Sequence, residues 1–511
     1  MQSLIIHMSR AITIILSVVL LVMVSWIGWN SLNSMCFLGP DIDSGMYSAL
    51  GLHVLHGYVP YRDIWEQKPP MIFFIEAFAL WITDHSVGGI RDLERVCGCL
   101  RGALFFLIVR KAFGSEWLAA MSTSVFLAYF YSPGVFQGGN LTEEYATVFV
   151  LCGIYASQYA RGLIGRRSMM ASALAGFWFS LAALTKEPFL FSFIPWVAFI
   201  ALKRQGGWRG GVLRTAFFVV GGLLPLLGCV AYLAWHRSLE YWFDAISFSV
   251  NYAAAGTTGI GSRQKLVHNW RYFSEFVLNN SSAVTIAAYV GIIGSLGTLF
   301  IRERNFFIPA VFASLALDYY ASSLSGRAYG HYYMQTIPSF ILMATCGFGF
   351  IGSSLGRGKP YVGIGVLALG IFSAYQKDSA FFSTWYRGVV APYHRYEQQD
   401  PIVRYIRQNS APTDRIWQSS IRTIRRYIET DRLSPIKFVY IDEVLRVDTG
   451  LSSGEEKIIG IKEGLRMNPP KFIIISTEEA DHFGLSDWLK SNYLDTGVVD
   501  GNMRLFNRVS S

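Results

Sequence analysis

The chain has 511 residues, of which 52% are hydrophobic and 15% aromatic, and only 15% are charged, against roughly 25% charged in an average soluble protein. That composition excludes an ordinary soluble domain and reads as an integral membrane protein. The formal net charge is +9, yet the basic residues stand in short clusters between apolar segments, the mark of cytoplasmic loops and not of a nucleic-acid surface.

At the N-terminus, MQSLIIHMSR precedes an apolar run of about 19 residues, enough to span a bilayer core of roughly 30 Å. No small-residue cleavage site follows, so it reads as an uncleaved first helix. Further crossings are expected near 95–111, 117–133, 145–161, 169–185, 188–202, 212–234, 281–301, 306–323, 333–352 and 361–376, about eleven in all with 11–29. The Lys/Arg-rich connections are RK at 110–111, RGLIGRR from 161, KRQGGWRGGVLR from 203, IRERN from 301 and GRGK from 356. With eleven crossings all of them fall on the cytoplasmic side. The segment 69–84, PPMIFFIEAFALWITD, is apolar but short for a span, and counting it would put the arginine pairs outside. It is therefore expected to lie as a juxtamembrane helix at the outer face. Residues 30–94, 137–144, the long loop 235–280, 325–333 and the tail from about 380 then fall on the outer side.

Six cysteines, Cys36, Cys97, Cys99, Cys152, Cys229 and Cys346, lie in or beside apolar segments. They suggest no disulfide framework, and Cys97 with Cys99 lacks zinc-knuckle spacing. From 398 onward the chain reads as a soluble α/β unit. DRIWQ, KFVYI and KFIIIS look like strands, and IRTIRRYIE, EEKIIGIKEGL and LSDWLKSNY like helices. The alternation suggests a small, partly parallel sheet. The expected organisation is a mainly α, polytopic membrane domain over 1–380 and an outer α/β domain over 381–511.

Four polar clusters share the outer side of this topology. They are Asp41 and Asp43 with Tyr47, Arg62, Asp63, Glu66 and Lys68; Asn140, Glu143 and Glu144; Lys186 and Glu187; and Arg327, Tyr329, His331, Tyr332 and Tyr333. Any one of them alone reads as a solvated loop, an ion pair or interfacial aromatics. Ionisable groups at membrane depth are costly and mark sites or pathways, and chance would scatter four clusters over both faces. Moving a sugar from a lipid phosphate needs this mixture. A carboxylate takes the proton of an acceptor hydroxyl, and Arg or Lys neutralises the departing phosphate. Tyr47, Tyr61 and Trp65 could pack on sugar faces, although Tyr and Trp also gather at any membrane interface.

The series DxxxY from Asp43 to Tyr47, then HGYVPYRDIWEQKPP, NLTEEYATVF, TKEPFLF and GHYYMQTIP, resembles the GT-C superfamily of polyprenyl-phosphate-sugar-dependent glycosyltransferases. The closest likeness is to the branch of protein O-mannosyltransferases and the lipid A aminoarabinose transferase, over roughly residues 10–380. The resemblance implies a GT-C fold and an inverting transfer without a nucleotide sugar. It places the family's essential acidic residue on Asp43 in preference to Asp41, its Lys-Pro pair on Lys68 and Pro69, and its second acidic residue on Glu143. Its inter-helix lysine falls on Lys186, and its late His-Tyr pair on His331 and Tyr332. Asp43 is then the expected base, Arg62, Lys68, Lys186 and Arg327 are candidates to hold the phosphate, Glu143 and His331 would orient Asp43, the sugar or a water, and Tyr47 and Glu66 are further substrate-binding candidates. Some members bind a divalent cation; without a DxD pair on both outer loops no catalytic metal is expected here.

The expected partners are a polyprenyl-phosphate sugar donor, a glycolipid, glycan or protein acceptor, and membrane lipids, at the outer face of a bacterial inner membrane. A transporter or flippase of lipid-linked sugars is the alternative, but such proteins hold their sites near the midplane and show internal repeats. A ligase moving a whole glycan is a third reading. The sequons at Asn140 and Asn279 read as chance matches.

Overall fold

The computed structural model describes residues 2–31, 42–85, 87–202, 207–255, 262–280, 282–298, 306–327, 329–354, 400–441 and 453–509. The expected crossing at 361–376 and Asp41 lie outside them. The helices are α1 (Gln2–Ser31), α2 (Ile42–Leu55), α3 (Met71–Trp81), α4 (Val87–Phe113), α5 (Glu116–Phe130), α6 (Thr142–Gly162), α7 (Gly165–Thr185), α8 (Ile194–Ala201) and α9 (Gly207–Trp235). They continue with α10 (Leu239–Ala255), α11 (Ser262–Phe276), α12 (Ser282–Thr298), α13 (Phe307–Ser323) and α14 (Ile337–Ser354). Two compact units result. One comprises residues 1–39, 94–228 and 259–394, the other 40–93, 229–258 and 395–511.

In the first unit, ten of the expected crossings coincide with helices or with helices entered through a 3₁₀ turn. Two of the described helices are long and apolar enough by themselves to cross a bilayer. They are α7, with 21 residues and a mean hydropathy of 1.4, and α9, with 29 residues and 2.2. Helices α4 and α6 carry buried charges, and their membrane assignment follows from the fold as a whole. The helices pack through glycine contacts, as bilayer helices do when no hydrophobic drive separates lipid from protein. A Cβ on Gly28 of α1 would lie 2.2 Å from the Gly98 carbonyl oxygen of α4. A Cβ on Gly221 of α9 would lie 1.9 Å from the Ala173 oxygen of α7. Aromatic pairs fill the spaces between, Phe105 and Phe126 stacking with centroids 4.4 Å apart.

The second unit holds α2, α3, α10 and the tail. Helix α3 has 11 residues, about 16 Å at the α-helical rise, too short to span, in keeping with a juxtamembrane helix. The tail sheet has four strands, β1 (Ile416–Gln418), β2 (Phe472–Ile475), β3 (Tyr493–Asp500) and β4 (Met503–Arg508), in the order β1-β2-β4-β3. Strands β1 and β2 are parallel, Trp417 opposite Ile473; β2–β4 and β3–β4 are antiparallel. Trp417, Ile436, Ile461, Leu465 and Ile473 form its core together with Trp65 from the segment before α3. Helices α15 (Pro401–Asn409), α16 (Ser453–Met467), α17 (Thr477–His482) and α18 (Ser486–Asn492) complete it.

Three expectations are corrected. The long loop 235–280 is largely helical, because YWFDAISFSV and LVHNWRYF repeat apolar residues at helical spacing and form α10 and α11. KFVYI (437–441) is not a strand. Phe438–Ile441 are buried, Ile441 N–H donates to the Ser419 carbonyl, and the Lys437, Phe438 and Val439 carbonyls accept from Trp65 N–H, Trp417 Nε1 and the Tyr427 hydroxyl, so these groups are paired without a ladder. The β3–β4 hairpin, which the expected strands omit, closes at Gly501 (φ 60°).

His53 of α2 ties this unit together. Its Nδ1 lies 2.7 Å from the Ala49 carbonyl oxygen and its Nε2 accepts the Ser434 N–H at 2.8 Å. Complete burial disfavours the imidazolium and lowers the pKa from 6.5 to about 4. Between those values the unfolded chain binds a proton that the folded chain refuses, so stability is lost as the pH falls through that window. Unfolding midpoints measured from pH 7 to pH 4 are expected to fall more steeply for wild type than for His53→Gln, the imidazole's share being at most about 3 kcal/mol.

Candidate active site

In the first unit, Gln137, Gly138, Gly139 and Asn140 all have positive φ, at 50°, 99°, 79° and 56°. Such a run is strained for its two non-glycine members. It persists because its polar groups are held: Asn140 N–H donates to Glu94 Oε1 at 2.5 Å and Glu144 Oε2 at 3.1 Å, and Tyr145 donates to Asn140 Oδ1 at 2.5 Å. The Asn140 side chain is therefore internal, consistent with a chance sequon.

The turn delivers Glu143 and Glu144 to the first turn of α6, where the helix dipole favours carboxylates. The two point to different cations. Glu144 Oε1 meets Arg101 Nη2 at 2.6 Å, with both side chains fully buried, and Arg101 also donates to the Glu144 carbonyl oxygen and to the Tyr131 hydroxyl. Glu143 Oε1 meets Lys186 Nζ at 3.0 Å, and its Oε2 accepts from Thr142 at 2.9 Å. The Lys186 ammonium stands 5.0 Å from the centroid of the Tyr332 ring, a cation–π distance. His331 Nδ1 lies 2.6 Å from Gln137 Oε1, and its ring stacks on Tyr329 and meets Tyr332 edge-on. Four of the expected residues, Glu143, Lys186, His331 and Tyr332, thus converge. Arg327 stands half-buried four residues before His331.

Two 3₁₀ turns, Glu187–Phe193 and Gly330–Gln335, follow Lys186 and carry the His-Tyr pair. A buried polar knot locks them together. Gln335 Nε2 donates to the Pro188 carbonyl oxygen at 3.0 Å, and Asp318 of α13 accepts from Ser192 at 2.6 Å and Ser339 at 3.0 Å.

In the second unit, Asp43 lies half-buried in the first turn of α2, and the Tyr47 hydroxyl donates to its Oδ2 at 3.4 Å. Buried Glu66 accepts from the Gln67 N–H at 2.9 Å and from the Tyr440 hydroxyl at 2.8 Å, and that hydroxyl also lies 3.2 Å from Met46 Sδ. Glu66 therefore stands on the α2 side of the unit. Lys68 is positioned by Tyr61, a buried residue at φ 68° whose hydroxyl donates to the Lys68 carbonyl oxygen at 2.8 Å.

Arg62 is placed otherwise. It forks onto Asp63 at 2.8 and 2.7 Å and donates to the His236 carbonyl oxygen. Burial pushes the Asp63 carboxyl up, but the Arg62 fork and the Val59 N–H outweigh it and hold the group below its ordinary range. The pair lines a cavity of about 580 Å³ together with His56, Tyr58, Lys437 and Phe438. Lys437, whose pKa burial lowers, sits over the Tyr241 and Phe438 rings.

Sequence reasoning missed Arg101, Asp318 and Tyr440. Arg101 and Asp318 are charges inside apolar helices, and that alone is a signal. Tyr440 gave none, because its role depends on a partner 374 residues away.

Residues 67–235, about a third of the chain, match the family model described as dolichyl-phosphate-mannose-protein mannosyltransferase. The fold extends the likeness over the whole chain. The crystal structure of ArnT from Cupriavidus metallidurans bound to undecaprenyl phosphate superposes with a TM-score of 0.61 at 13% identity, covering 97% of this chain and 98% of that one. The apo state of the same protein gives 0.57 at 12% identity, with 98% of each chain covered. No curated protein matches significantly by sequence. The family match thus covers residues 67–235, and the fold match shows that the chain shares the polytopic architecture of the solved ArnT structures.

Removing one partner of a buried ion pair strands the other. Arg101→Met is expected to destabilise the protein by about 3–5 kcal/mol. Arg101→Met combined with Glu144→Gln should recover a large part of the loss, read as unfolding midpoints in detergent.

Proposed function

We propose that the protein transfers a sugar, with inversion, from a polyprenyl-phosphate carrier to a cell-envelope acceptor: lipid A or another glycolipid, a cell-wall glycan, or a protein. The reaction is assigned to the outer, periplasmic face of a bacterial inner membrane. The observation that carries the proposal is the Glu143–Lys186 pair beside Tyr332. A nearly buried ammonium held between a carboxylate and an aromatic face can turn to a phosphate oxygen, with the Thr142 hydroxyl still donating to the Glu143 carboxylate. A solved protein of the same fold binds undecaprenyl phosphate, and the same class of carrier is proposed here.

The step is a direct displacement. The acceptor hydroxyl oxygen attacks the anomeric carbon, Asp43 takes the hydroxyl proton, and the bond from that carbon to the phosphate oxygen breaks with its electron pair. The polyprenyl phosphate leaves from the opposite face. Tyr47, one helical turn beyond Asp43, orients the carboxylate. Lys186, Lys68 and Arg327 neutralise the leaving phosphate, as preorganised charges do best in a water-poor site. Glu143 and His331 position Lys186 and Tyr332, and Glu66 orders the backbone before Lys68. Arg62, committed to Asp63, contributes to the cavity it lines and is a weaker candidate for the phosphate.

The test uses purified protein in nanodiscs with radiolabelled polyprenyl-phosphate sugars and a membrane glycolipid extract. Wild type should transfer label, and Asp43→Asn should lower turnover by roughly 10²- to 10⁴-fold, the usual worth of a positioned base, while donor binding is retained. A loss below about threefold would remove Asp43 from the mechanism. Absence of transfer by wild type, with movement of labelled lipid between leaflets, would replace the transferase by a flippase.

A further inference from the structure

Among the described residues, one group of side chains has the composition of a transition-metal site: His56, His85 and Asp431, whose ligand atoms all lie within 4.8 Å of one another. We propose that His56, His85 and Asp431 bind one divalent transition metal of the zinc class, which joins the ends of α2 and α3 to the C-terminal tail.

Four observations support this assignment. The ligands come from places far apart in the chain, so no local turn explains their meeting. His85 Nδ1 and Asp431 Oδ1 are 3.2 Å apart, and the two imidazole rings are 5.1 Å apart at 69°. Ligand atoms at such distances need only small side-chain rotations to reach bonds of about 2.0–2.2 Å to one ion. His56 Nδ1 lies 2.9 Å from the Leu52 carbonyl oxygen, so the proton sits on Nδ1 and the Nε2 lone pair is left for a metal, the usual outer support of a ligating histidine. Each ligand also follows a helix C-terminus, His56 after α2, His85 shortly after α3 and Asp431 after the turn Arg426–Thr430, where terminal carbonyls favour a cation. Both His85 (φ 61°) and Asp431 (φ 53°) hold left-handed backbones to stand there.

Two imidazoles and one carboxylate favour zinc, cobalt or nickel over magnesium or calcium, which take oxygen ligands. Three protein ligands leave a position for water. The site has no part in the displacement chemistry proposed above and stands independently of it.

The experiment uses full-length protein in nanodiscs, stripped with a chelator and titrated with zinc chloride by calorimetry, with unfolding midpoints measured alongside. One zinc per chain is expected to bind and raise the midpoint by several degrees. His56→Ala, His85→Ala and Asp431→Asn should each weaken binding at least tenfold. Should a variant fold poorly, His85→Cys keeps a ligand and removes the imidazole–carboxylate hydrogen bond. With cobalt(II) it should show a thiolate charge-transfer band in the near ultraviolet that wild type lacks. No stoichiometric zinc in wild type, unchanged affinity in the three variants, or no such band in folded His85→Cys would each overturn the proposal.

Discussion

Two neighbouring glutamates at the start of α6 govern the first unit, because each holds a cation away from water. Burying an ion costs several kcal/mol even after relaxation, and only close geometry with further hydrogen bonds offsets it. Glu144 and Arg101 meet that condition with both side chains fully buried and the Tyr131 hydroxyl as a third member. Glu143 and Lys186 meet it less fully, with about a tenth of Lys186 exposed. That difference separates the two pairs: the first fixes α4 to α6, and the second is the one proposed to receive a phosphate.

The surrounding structure keeps those side chains in place. Strained backbone at Gln137 and Asn140 is tolerated because Glu94 and Glu144 accept the Asn140 N–H. The Asp318 knot holds the two 3₁₀ turns by hydroxyl and amide donors. Neutral donors suit this place, since they orient the turns without adding a second cation beside Lys186. In the second unit the same economy recurs. Tyr440 satisfies Glu66, Tyr61 accepts a left-handed backbone to fix Lys68, and neutral His53 receives the Ser434 N–H.

Much of the helical architecture was legible because apolar length reports directly on bilayer physics. The residues 69–84 read as too short to span, and α3 is short. Helices α10 and α11 escaped because charged and aromatic residues on amphipathic helices resemble loop composition. KFVYI looked like a strand because alternation and β-branching report burial as much as pairing. The expected site residues were legible as types and positions. Their partners were not, since Lys186–Glu143, Tyr440–Glu66 and His85–Asp431 join points distant in sequence. Arg62 shows the limit most clearly, because its charge was visible and its neighbour Asp63, which claims it, was visible too, but not the fork between them.

The central claim is that Lys186, released from Glu143, carries the phosphate of the lipid donor. Equilibrium binding of radiolabelled undecaprenyl phosphate to wild type and Lys186→Gln in nanodiscs tests it most directly, with Arg101 and Glu144 left intact. The account predicts at least a tenfold loss of affinity in Lys186→Gln, and a smaller loss as salt is raised for wild type. Equal affinity in the two proteins would contradict it.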